Sequence, residues 1–353
     1  MNSDSPPPDN VLRTEMKVLG VLALLLMGVE FGLQLVENRL SIDIQHLQSF
    51  GHIASAVRPA AEASQAAIGR GTSSSPSQLL FLGNSMTRYG LNANEFSTAL
   101  EQRTGSRPDV VALHPDNSRI SEWSWLFRNF ISERRRAPDL LIVGFARNQL
   151  SDAPSKTPDR IARFYGCGLD DVSRLSREDV RGVEDWSSFL LARYSATYAN
   201  RERVERRILG TLIPAYQETS NLLNDRTMPQ ELQQADAAAT YHRLTDLVQL
   251  AQADRVEVVL VALPTQEGYE LDGELIQLAR EQHITLMDCR NVPGVTADMI
   301  PDGLHLTPEG AVHYSRFLAT WLPVEPLIAR HDAQIIQVEA LLPADSNGDS
   351  EIR

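Results

Sequence analysis

The chain has 353 residues, a net charge of −13 and 42% hydrophobic residues. This length allows one large domain or two modest ones, and the apolar content excludes a chain that is disordered throughout. The acidic balance disfavours nucleic acid as a partner, because phosphate binding requires clustered basic residues, and the one basic run, Arg134–Arg136, is expected to be a solvated helix end.

The N-terminal region contains one long apolar segment. Residues 17–36, KVLGVLALLLMGVEFGLQLV, approach the ~20 residues of a spanning helix, although Glu30 and Gln34 interrupt the second half. A cleaved signal peptide would need a small-x-small site after the apolar run, and the sequence offers none. A buried helix of a soluble cytoplasmic protein is the other alternative. We expect a signal anchor, with Arg13 and Lys17 on the cytoplasmic side and the main domain extracytoplasmic, either periplasmic or on the cell surface.

Composition divides the rest of the chain into segments. Residues 1–16 are polar and proline-rich and are expected to form a disordered tail, and residues 37–77 a helical stalk and linker. Residues 78–325 should form the main domain, which carries a helical insert at residues 151–230. Residues 326–353 are expected to be a C-terminal extension with an acidic tail.

Five short apolar runs in the main domain are separated by helix-length segments. The runs are QLLFLG, DVVALH, DLLIVGFA, VEVVLVALP and ITLMD, and they barely alternate, as expected of strands buried on both faces. The segments between them, such as YHRLTDLVQLAQAD, have apolar residues at helical spacing. The pattern predicts an α/β fold, a three-layer αβα sandwich with a five-stranded, mainly parallel sheet.

Polar residues follow several of these predicted strands. Ser85 follows the first strand, and Gly144 and then Asn148 follow the third. Asp302 and His305 lie in the loop after the fifth. Because an open parallel sheet binds its ligand at the carboxyl ends of its strands, we expect these residues to converge on one edge.

The converging residues have the types needed for nucleophilic catalysis. The hydroxyl of Ser85 needs an adjacent base, which His305 can supply, and a carboxylate at Asp302 can hold the imidazole Nδ1–H. The backbone N–H of Ser85 and the side-chain amide of Asn148 are candidate donors to a developing oxyanion. Structural alternatives remain open: a helix cap for the serine, a turn residue for the aspartate, a core histidine and a plain loop asparagine.

Other residues near the predicted site are candidates for substrate binding. Arginines such as Arg88 and Arg147 can bind a carboxylate or sulfate on a sugar, or can lie at a solvated loop edge, and Tyr89 follows Arg88 directly. The remaining histidines have no metal-ligand spacing and no phosphate-binding glycine loop is present, so no metal or other cofactor is expected. Cys167 and Cys289 are compatible with a disulfide or with two buried thiols.

Two blocks of the sequence resemble the SGNH (GDSL-type) hydrolases. That family carries its nucleophile in Gly-Asp-Ser and its base in Asp-x-x-His followed by a helix, and this chain has GNS at residues 83–85 and DGLHLTPEG at residues 302–310. The family's third block, Gly-x-Asn-Asp, is matched by GFARNQ, and the resemblance implies an oxyanion role for Gly144 and Asn148.

The chain also departs from the family pattern at two places. The second block of the family supplies a glycine to the oxyanion hole, whereas LHPDNSRISEW has none, and Asn117 or Ser118 stands near its place. Asn84 stands where the family usually has an aspartate, and together with Asn117 it is a further candidate for contact with substrate.

The resemblance covers about residues 78–150 and 254–325 and implies a flavodoxin-like sheet with Ser-His-Asp acyl-enzyme chemistry. The layout is similar to membrane-anchored members that act on acyl groups of cell-envelope polymers. The implied activity is ester hydrolysis or O-acyl transfer on an acylated carbohydrate or other small ester, and the insert is a candidate surface for an envelope-complex partner. A catalytically inactive SGNH-fold protein that binds a glycan or acts as a scaffold is the alternative.

Overall fold

The structure, a computed structural model, describes residues 8–40, 42–62, 77–155, 157–213, 239–323 and 335–336. The chain forms two compact units, one of Met1–Ser49 with Lys156–Pro229 and one of Phe50–Ser155 with Gln230–Arg353. The greater part of the predicted linker, the end of the insert and most of the C-terminal extension lie outside the described residues.

The described helices follow the strands in the alternation expected from the sequence. In chain order they are α1 (Pro8–Val36), α2 (Ile42–Ser55), α3 (Ser85–Gly90), α4 (Ala93–Thr104), α5 (Ile120–Leu126), α6 (Pro158–Phe164), α7 (Val172–Glu178), α8 (Gly182–Tyr194), α9 (Ala196–Ala199), α10 (Arg201–Leu212), α11 (His242–Ala253), α12 (Gly273–Glu281) and α13 (Pro308–Trp321). Short 3₁₀ turns occur at Glu37–Arg39, Leu169–Asp171 and Ala297–Met299, and α5 continues into a π-helical segment, Phe127–Ser132.

The larger unit is built on a parallel sheet with the order β2-β1-β3-β4-β5-β6. Its strands are β1 (Gln78–Leu82), β2 (Asp109–Leu113), β3 (Leu140–Phe145), β4 (Glu257–Ala262), β5 (Thr285–Asp288) and β6 (Ile335–Ile336). The first five correspond to the five apolar runs, which confirms the predicted α/β fold with a parallel sheet. The two-residue β6, which pairs with β5, lies in the predicted C-terminal extension and is too short to give a periodic signal.

Strand order reverses beside β1, which pairs with β2 on one side and with β3 on the other. The chain therefore leaves β1 and β3 in different directions, and a crevice forms at the carboxyl ends of these strands. Both strands are buried along their whole length, and all of their residues except Gln78 at the start of β1 are nonpolar, as expected of strands buried on both faces. The residues that follow β1 and β3 are thus held on a rigid edge of the sheet.

Two glycines allow α3 to pack directly on this edge. Thr87 of α3 is buried, and its hydroxyl donates a 3.5 Å hydrogen bond to the carbonyl of Gly144 in β3. A Cβ at Gly144 would lie 2.5 Å from Thr87 Oγ1, and a Cβ at Gly83 only 2.0 Å from it. Both distances are far inside van der Waals contact, so these positions require glycine as long as residue 87 is threonine.

The smaller unit contains α1 and the described part of the insert. Residues Arg13–Arg39 are long and apolar enough to cross a membrane, and their central apolar side chains are exposed. α1 begins at Pro8, so the predicted disordered tail is helical from that residue onward; proline suits the first turn of a helix and no breaker follows it. Most of residues 158–212 of the insert is helical, in α6 to α10 and one 3₁₀ turn, with breaks at residues 165–168 and 179–181.

The basic run and the two cysteines also have definite places. Arg134 and Arg135 are exposed in the turn after the π-helical segment, which agrees with the expected solvated helix end. Arg136 differs from that expectation, since it is half-buried and donates to the carbonyl of Ser55 at 2.7 Å. Cys167 and Cys289 are both buried thiols, which agrees with the second of the two alternatives left open by the sequence.

We predict that Gly144→Ala lowers the free energy of unfolding by about 1–3 kcal/mol, because the new Cβ overlaps the hydroxyl of Thr87. Urea unfolding of the purified protein measures this change. Gly273→Ala is the matched control: a Cβ there meets nothing within 4 Å, and the change should stay within about 0.5 kcal/mol.

The double variant Gly144→Ala with Thr87→Ala locates the clash. Since the overlapping hydroxyl is absent, its loss of stability should be smaller than the sum of the two single losses. Full additivity would show that Gly144 is required for some other reason.

Candidate active site

Ser85, His305 and Asp302 form a linear chain of hydrogen bonds. His305 Nε2 lies 2.8 Å from Ser85 Oγ, and His305 Nδ1 lies 2.5 Å from Asp302 Oδ2. In the tautomer that this geometry favours, Nδ1–H donates to the carboxylate and Nε2 accepts the serine proton. The structure thus brings together the three residues predicted to act as nucleophile, base and orienting acid.

Asn84 positions the serine by capping α3. Its Oδ1 accepts the backbone N–H of Met86 at 3.0 Å, and its Nδ2 donates to the carbonyl of Ser118 at 3.1 Å. Asn84 therefore takes the capping role that was an alternative for Ser85, and Ser85, the first residue of the helix, keeps its hydroxyl for His305. Only 4% of Asn84 is exposed, and both ends of its amide are engaged, so the side chain positions the serine, and its predicted contact with substrate stays a prediction.

Asp302 serves the turn and the imidazole at the same time. Its Oδ1 accepts the backbone N–H groups of Leu304 at 3.0 Å and His305 at 2.7 Å, whereas Oδ2 holds the ring. Gly303 between them has a φ of +84°, the left-handed region that suits glycine. The turn alternative for Asp302 and its role as acid are therefore both satisfied by one side chain.

The hydrogen bonds around Asp302 also set its charge. Partial burial by itself raises the pKa of this carboxyl, but the backbone N–H of His305, the His305 ring and the backbone N–H of Leu304 outweigh burial and lower the pKa below its usual value. Asp302 is therefore ionised at neutral pH, as an acceptor of Nδ1–H must be.

Ser315 joins α13, the helix after the His305 loop, to the end of α3, the helix that begins at Ser85. This buried residue of α13 accepts the backbone N–H of Asn92 at 2.8 Å and donates to the carbonyl of Gly90 at 3.3 Å, at the end of α3. α13 itself begins directly after the His305 loop, with the Thr307 hydroxyl accepting the Gly310 N–H as its cap. The sequence pattern contained no signal for the Ser315 contact, because it depends on tertiary packing.

The three residues predicted to form the oxyanion hole lie in different elements of the structure. Among the described residues, the backbone N–H of Ser85 has no acceptor, and it lies in the first turn of α3 where such groups point outward. Asn148 is half-buried in the turn directly after β3. Gly144 is not in that turn but inside β3, where its contact with Thr87 explains the need for glycine.

The loop after β2 contains the two residues that stand near the missing glycine. Ser118 is buried, and its hydroxyl donates to the Pro115 carbonyl at 2.6 Å and accepts the Trp123 indole N–H at 2.8 Å. Asn117 is exposed and has a φ of +52°, a conformation for which glycine is the usual residue. Of the two, Asn117 is the one whose backbone resembles that of a glycine.

Gln149 is a functional candidate that the sequence did not reveal. It is buried, its Oε1 accepts the backbone N–H of Ala146 at 2.9 Å, and its carbonyl accepts the backbone N–H of Ile120 at 2.9 Å. Its amide also lies 3.8 Å from the sulfur of Met86, next to the serine. Gln149 thus ties together the chain segments that follow β1, β2 and β3, and no spacing rule indicates a buried glutamine.

Tyr89 and Arg88 form one wall of the site. The rings of Tyr89 and His305 meet edge to face, with centroids 5.1 Å apart. Arg88 donates to the Tyr89 hydroxyl at 3.0 Å and forms a 2.9 Å ion pair with Asp116 in the loop after β2. Tyr89 is 49% exposed, so its ring is available to a ligand beside the histidine. Arg147, in contrast, has a φ of +52° and pairs with Glu267 at 3.3 Å.

A cleft of about 290 Å³ lies at the carboxyl ends of β4 and β5. Its lining includes Gln266, Arg290 and Ile300. The Gln266 backbone N–H donates to the Gly303 carbonyl at 3.1 Å, which connects the cleft wall to the Asp302 turn. Arg290 is held by both oxygens of Asp288, each at 2.8 Å.

The arrangement can activate a hydroxyl for attack on an acyl carbon, since Ser85 contacts a base that a carboxylate holds in place. No family model matches the chain, and no curated protein is significantly similar to it.

We predict that Asp302 makes the stability of the protein depend on pH at the acid end. Because its folded pKa is lowered, the carboxylate contributes stability above its unfolded pKa of ~3.9, and this contribution is lost as the pH falls through the folded pKa. Asp302→Asn should therefore melt below the parent protein near neutral pH, and the difference in Tm should shrink as the pH falls below ~4. A difference in Tm that is the same at every pH would contradict the prediction.

Proposed function

We propose that the protein is a membrane-anchored serine hydrolase or O-acyltransferase of the SGNH (GDSL) type. The observation that carries this proposal is the Asp302–His305–Ser85 chain, with ring-to-neighbour distances of 2.5 and 2.8 Å, at the carboxyl edge of a parallel sheet. The strand order β2-β1-β3-β4-β5, one of the common orders of doubly wound sheets, supports the flavodoxin-like sandwich that this family implies.

The proposed reaction proceeds through an acyl-enzyme. Ser85 Oγ attacks the ester carbonyl carbon while His305 Nε2 takes the hydroxyl proton, and His305 then delivers this proton to the departing alkoxide. Water or a sugar hydroxyl next gives its proton to His305 and attacks the acyl carbon. The bond between that carbon and Ser85 Oγ then breaks, and His305 returns the proton to Oγ, which restores the serine hydroxyl. Asp302 holds the ring throughout and stabilises the imidazolium.

The oxyanion would be bound by the first turn of α3 and the neighbouring loops. The Ser85 backbone N–H has no acceptor among the described residues and is available to the tetrahedral intermediate. The side-chain amide of Asn148 is the second proposed donor. The left-handed backbone of Asn117 supports a third donor there, in the place of the family's glycine.

We infer that the substrate is an acylated carbohydrate outside the cytoplasm. The half-exposed ring of Tyr89 beside His305 provides a face on which a sugar can stack, and Arg88 adds hydrogen-bond donors. The neighbouring cleft of about 290 Å³ has room for a short acyl group or one sugar ring. The extracytoplasmic location follows from a signal anchor formed by α1.

The proposed chemistry is tested by a fluorophosphonate probe, which reacts with an activated serine. The parent protein should be labelled and Ser85→Ala should not, because it lacks the nucleophile. Hydrolysis of p-nitrophenyl acetate should fall by ~10²–10⁴-fold in His305→Ala, which lacks the base. Ser106→Ala, an exposed serine in the loop before β2, is the matched control and should behave as the parent.

Absence of labelling in a folded parent protein, with esterase activity unaffected by His305→Ala, would contradict the enzyme. That result would favour the alternative of an inactive SGNH-fold protein that binds a glycan or acts as a scaffold.

The proposed anchor is tested by charge in the middle of α1. Leu22 and Leu25 are exposed apolar residues of this helix, and Leu22→Arg with Leu25→Arg should abolish membrane integration, since each arginine costs ~2.5–3.5 kcal/mol at the centre of a span. Carbonate extraction of membranes measures integration, and Leu22→Ala with Leu25→Ala is the control. A carbonate-resistant arginine variant would show that α1 does not span the bilayer.

A further inference from the structure

The insert is bound to the C-terminal end of α1. Glu30 accepts hydrogen bonds from the Ser195 hydroxyl at 2.7 Å and from the backbone N–H groups of Ala196 at 2.5 Å and Thr197 at 3.1 Å. These three residues are the start of α9, so a carboxylate of the apolar helix caps a helix of the insert. The polar interruption in the apolar segment is thereby explained.

A second carboxylate fixes the same end of α1 more firmly. Glu37 is buried and accepts a 2.8 Å hydrogen bond from Arg163 of α6 and a 2.7 Å hydrogen bond from Asn200. Arg207 of α10 donates to the carbonyl of Leu40 at 3.1 Å. The insert thus contacts the chain at the point where the exposed apolar part of α1 ends.

The location of the insert relative to a membrane follows from these contacts, provided that α1 is the proposed membrane anchor. If residues 17–36 cross the bilayer, the contacts at Glu37 place the insert helices at the boundary between lipid and water, and the start of α9, bound to Glu30, reaches ~9 Å deeper. The segment from residue 18 to residue 36 is ~28 Å long as a helix, close to the thickness of the hydrocarbon core.

Helix α10 has the composition of an interfacial helix. Val204, Ile208 and Leu212 recur every four residues and share one face. No residue of α10 is buried among the described part of the chain, and Ile208 and Leu212 are 51% and 71% exposed. A groove of about 350 Å³ runs along this face. Its lining consists of Val204, Ile208 and Leu209, the charged residues Arg201 and Glu205 beside them, and Thr197 of α9.

The charges of α10 fit an anionic surface. Its sequence, RERVERRILGTL, contains four arginines and two glutamates, although the whole chain carries a charge of −13. Arg203 and Arg206 lie on the side opposite the apolar face at 3.6 residues per turn. A helix with an apolar face and a basic face is typical of segments that lie flat in the headgroup region.

The end of α8 adds apolar area next to the same anchor point. Leu190, Leu191 and Tyr194 are exposed, and Tyr194 directly precedes Ser195, which binds Glu30. Aromatic residues such as tyrosine favour the membrane–water interface because one end is apolar and the other polar.

We propose that α10 and the end of α8 form a second membrane contact, which lies on the surface of a bilayer that contains anionic lipid. The apolar face of α10 enters the headgroup region, where Arg201 on the same face contacts lipid phosphates, and the other arginines attract the helix to the anionic surface. The occupant of the groove is therefore lipid.

The test uses the full chain with a nitrobenzoxadiazole label on one introduced cysteine, reconstituted in phosphatidylcholine vesicles with and without phosphatidylglycerol. Cys167 and Cys289 are buried, so the parent chain treated with the same reagent is the blank. Brominated phosphatidylcholine quenches only labels that contact lipid. We expect at least about two-fold quenching at Leu212→Cys, little at Arg206→Cys on the opposite face, and more at Leu212→Cys when phosphatidylglycerol is present.

A third label, Leu22→Cys in the middle of α1, separates this proposal from the anchor. Quenching at Leu22→Cys without quenching at Leu212→Cys would overturn the second membrane contact and leave the anchor intact; a label at 212 that is shielded but not quenched would assign the groove to residues 214–238 or to a second copy. No quenching at Leu22→Cys would overturn the anchor itself. Equal quenching at Leu212→Cys with and without phosphatidylglycerol would overturn the anionic-lipid part.

Discussion

The hydrogen bond between His305 Nε2 and Ser85 Oγ is the constraint on which the larger unit depends. It joins residues 220 positions apart at 2.8 Å, and such a bond tolerates little displacement. Its two ends are held by independent means: Asn84 caps the helix of the serine, and Asp302 forms the turn of the histidine. Ser315 then fastens one helix to the other, so that the distance between base and nucleophile is built into the packing.

The sequence predicted the sheet and the convergence of Ser85, Asp302 and His305 because both obey simple rules. Strands buried on both faces are expected to be almost entirely apolar, and β1, β3 and β4 are apolar apart from Gln78 and Glu257, the first residues of β1 and β4. Residues at the carboxyl ends of parallel strands share an edge, and a carboxylate three residues before a histidine can reach its ring on one turn. These rules need only short-range spacing and the topology of the sheet.

The contacts that hold the site together could not be predicted in this way. Gln149 and Ser315 act through partners far away in the sequence, and their residue types have no preferred spacing. The amide of Asn84 satisfies a helix cap and a neighbouring loop at the same time, which is a use of burial that a sequence does not display. Glu30 similarly looked like an interruption of an apolar helix and is in fact a cap for α9.

The packing of Thr87 between Gly83 and Gly144 has a consequence for how this protein can diverge. A side chain at either glycine overlaps the same hydroxyl, so the three positions form one unit of variation. A homologue with alanine at residue 144 should have lost the hydroxyl at residue 87. A Cβ introduced at residue 83 would also lie 2.7 Å from the Cβ of residue 87, so residue 83 should remain glycine for longer. The order in which these positions change in an evolutionary lineage is thus dictated by the space around one threonine.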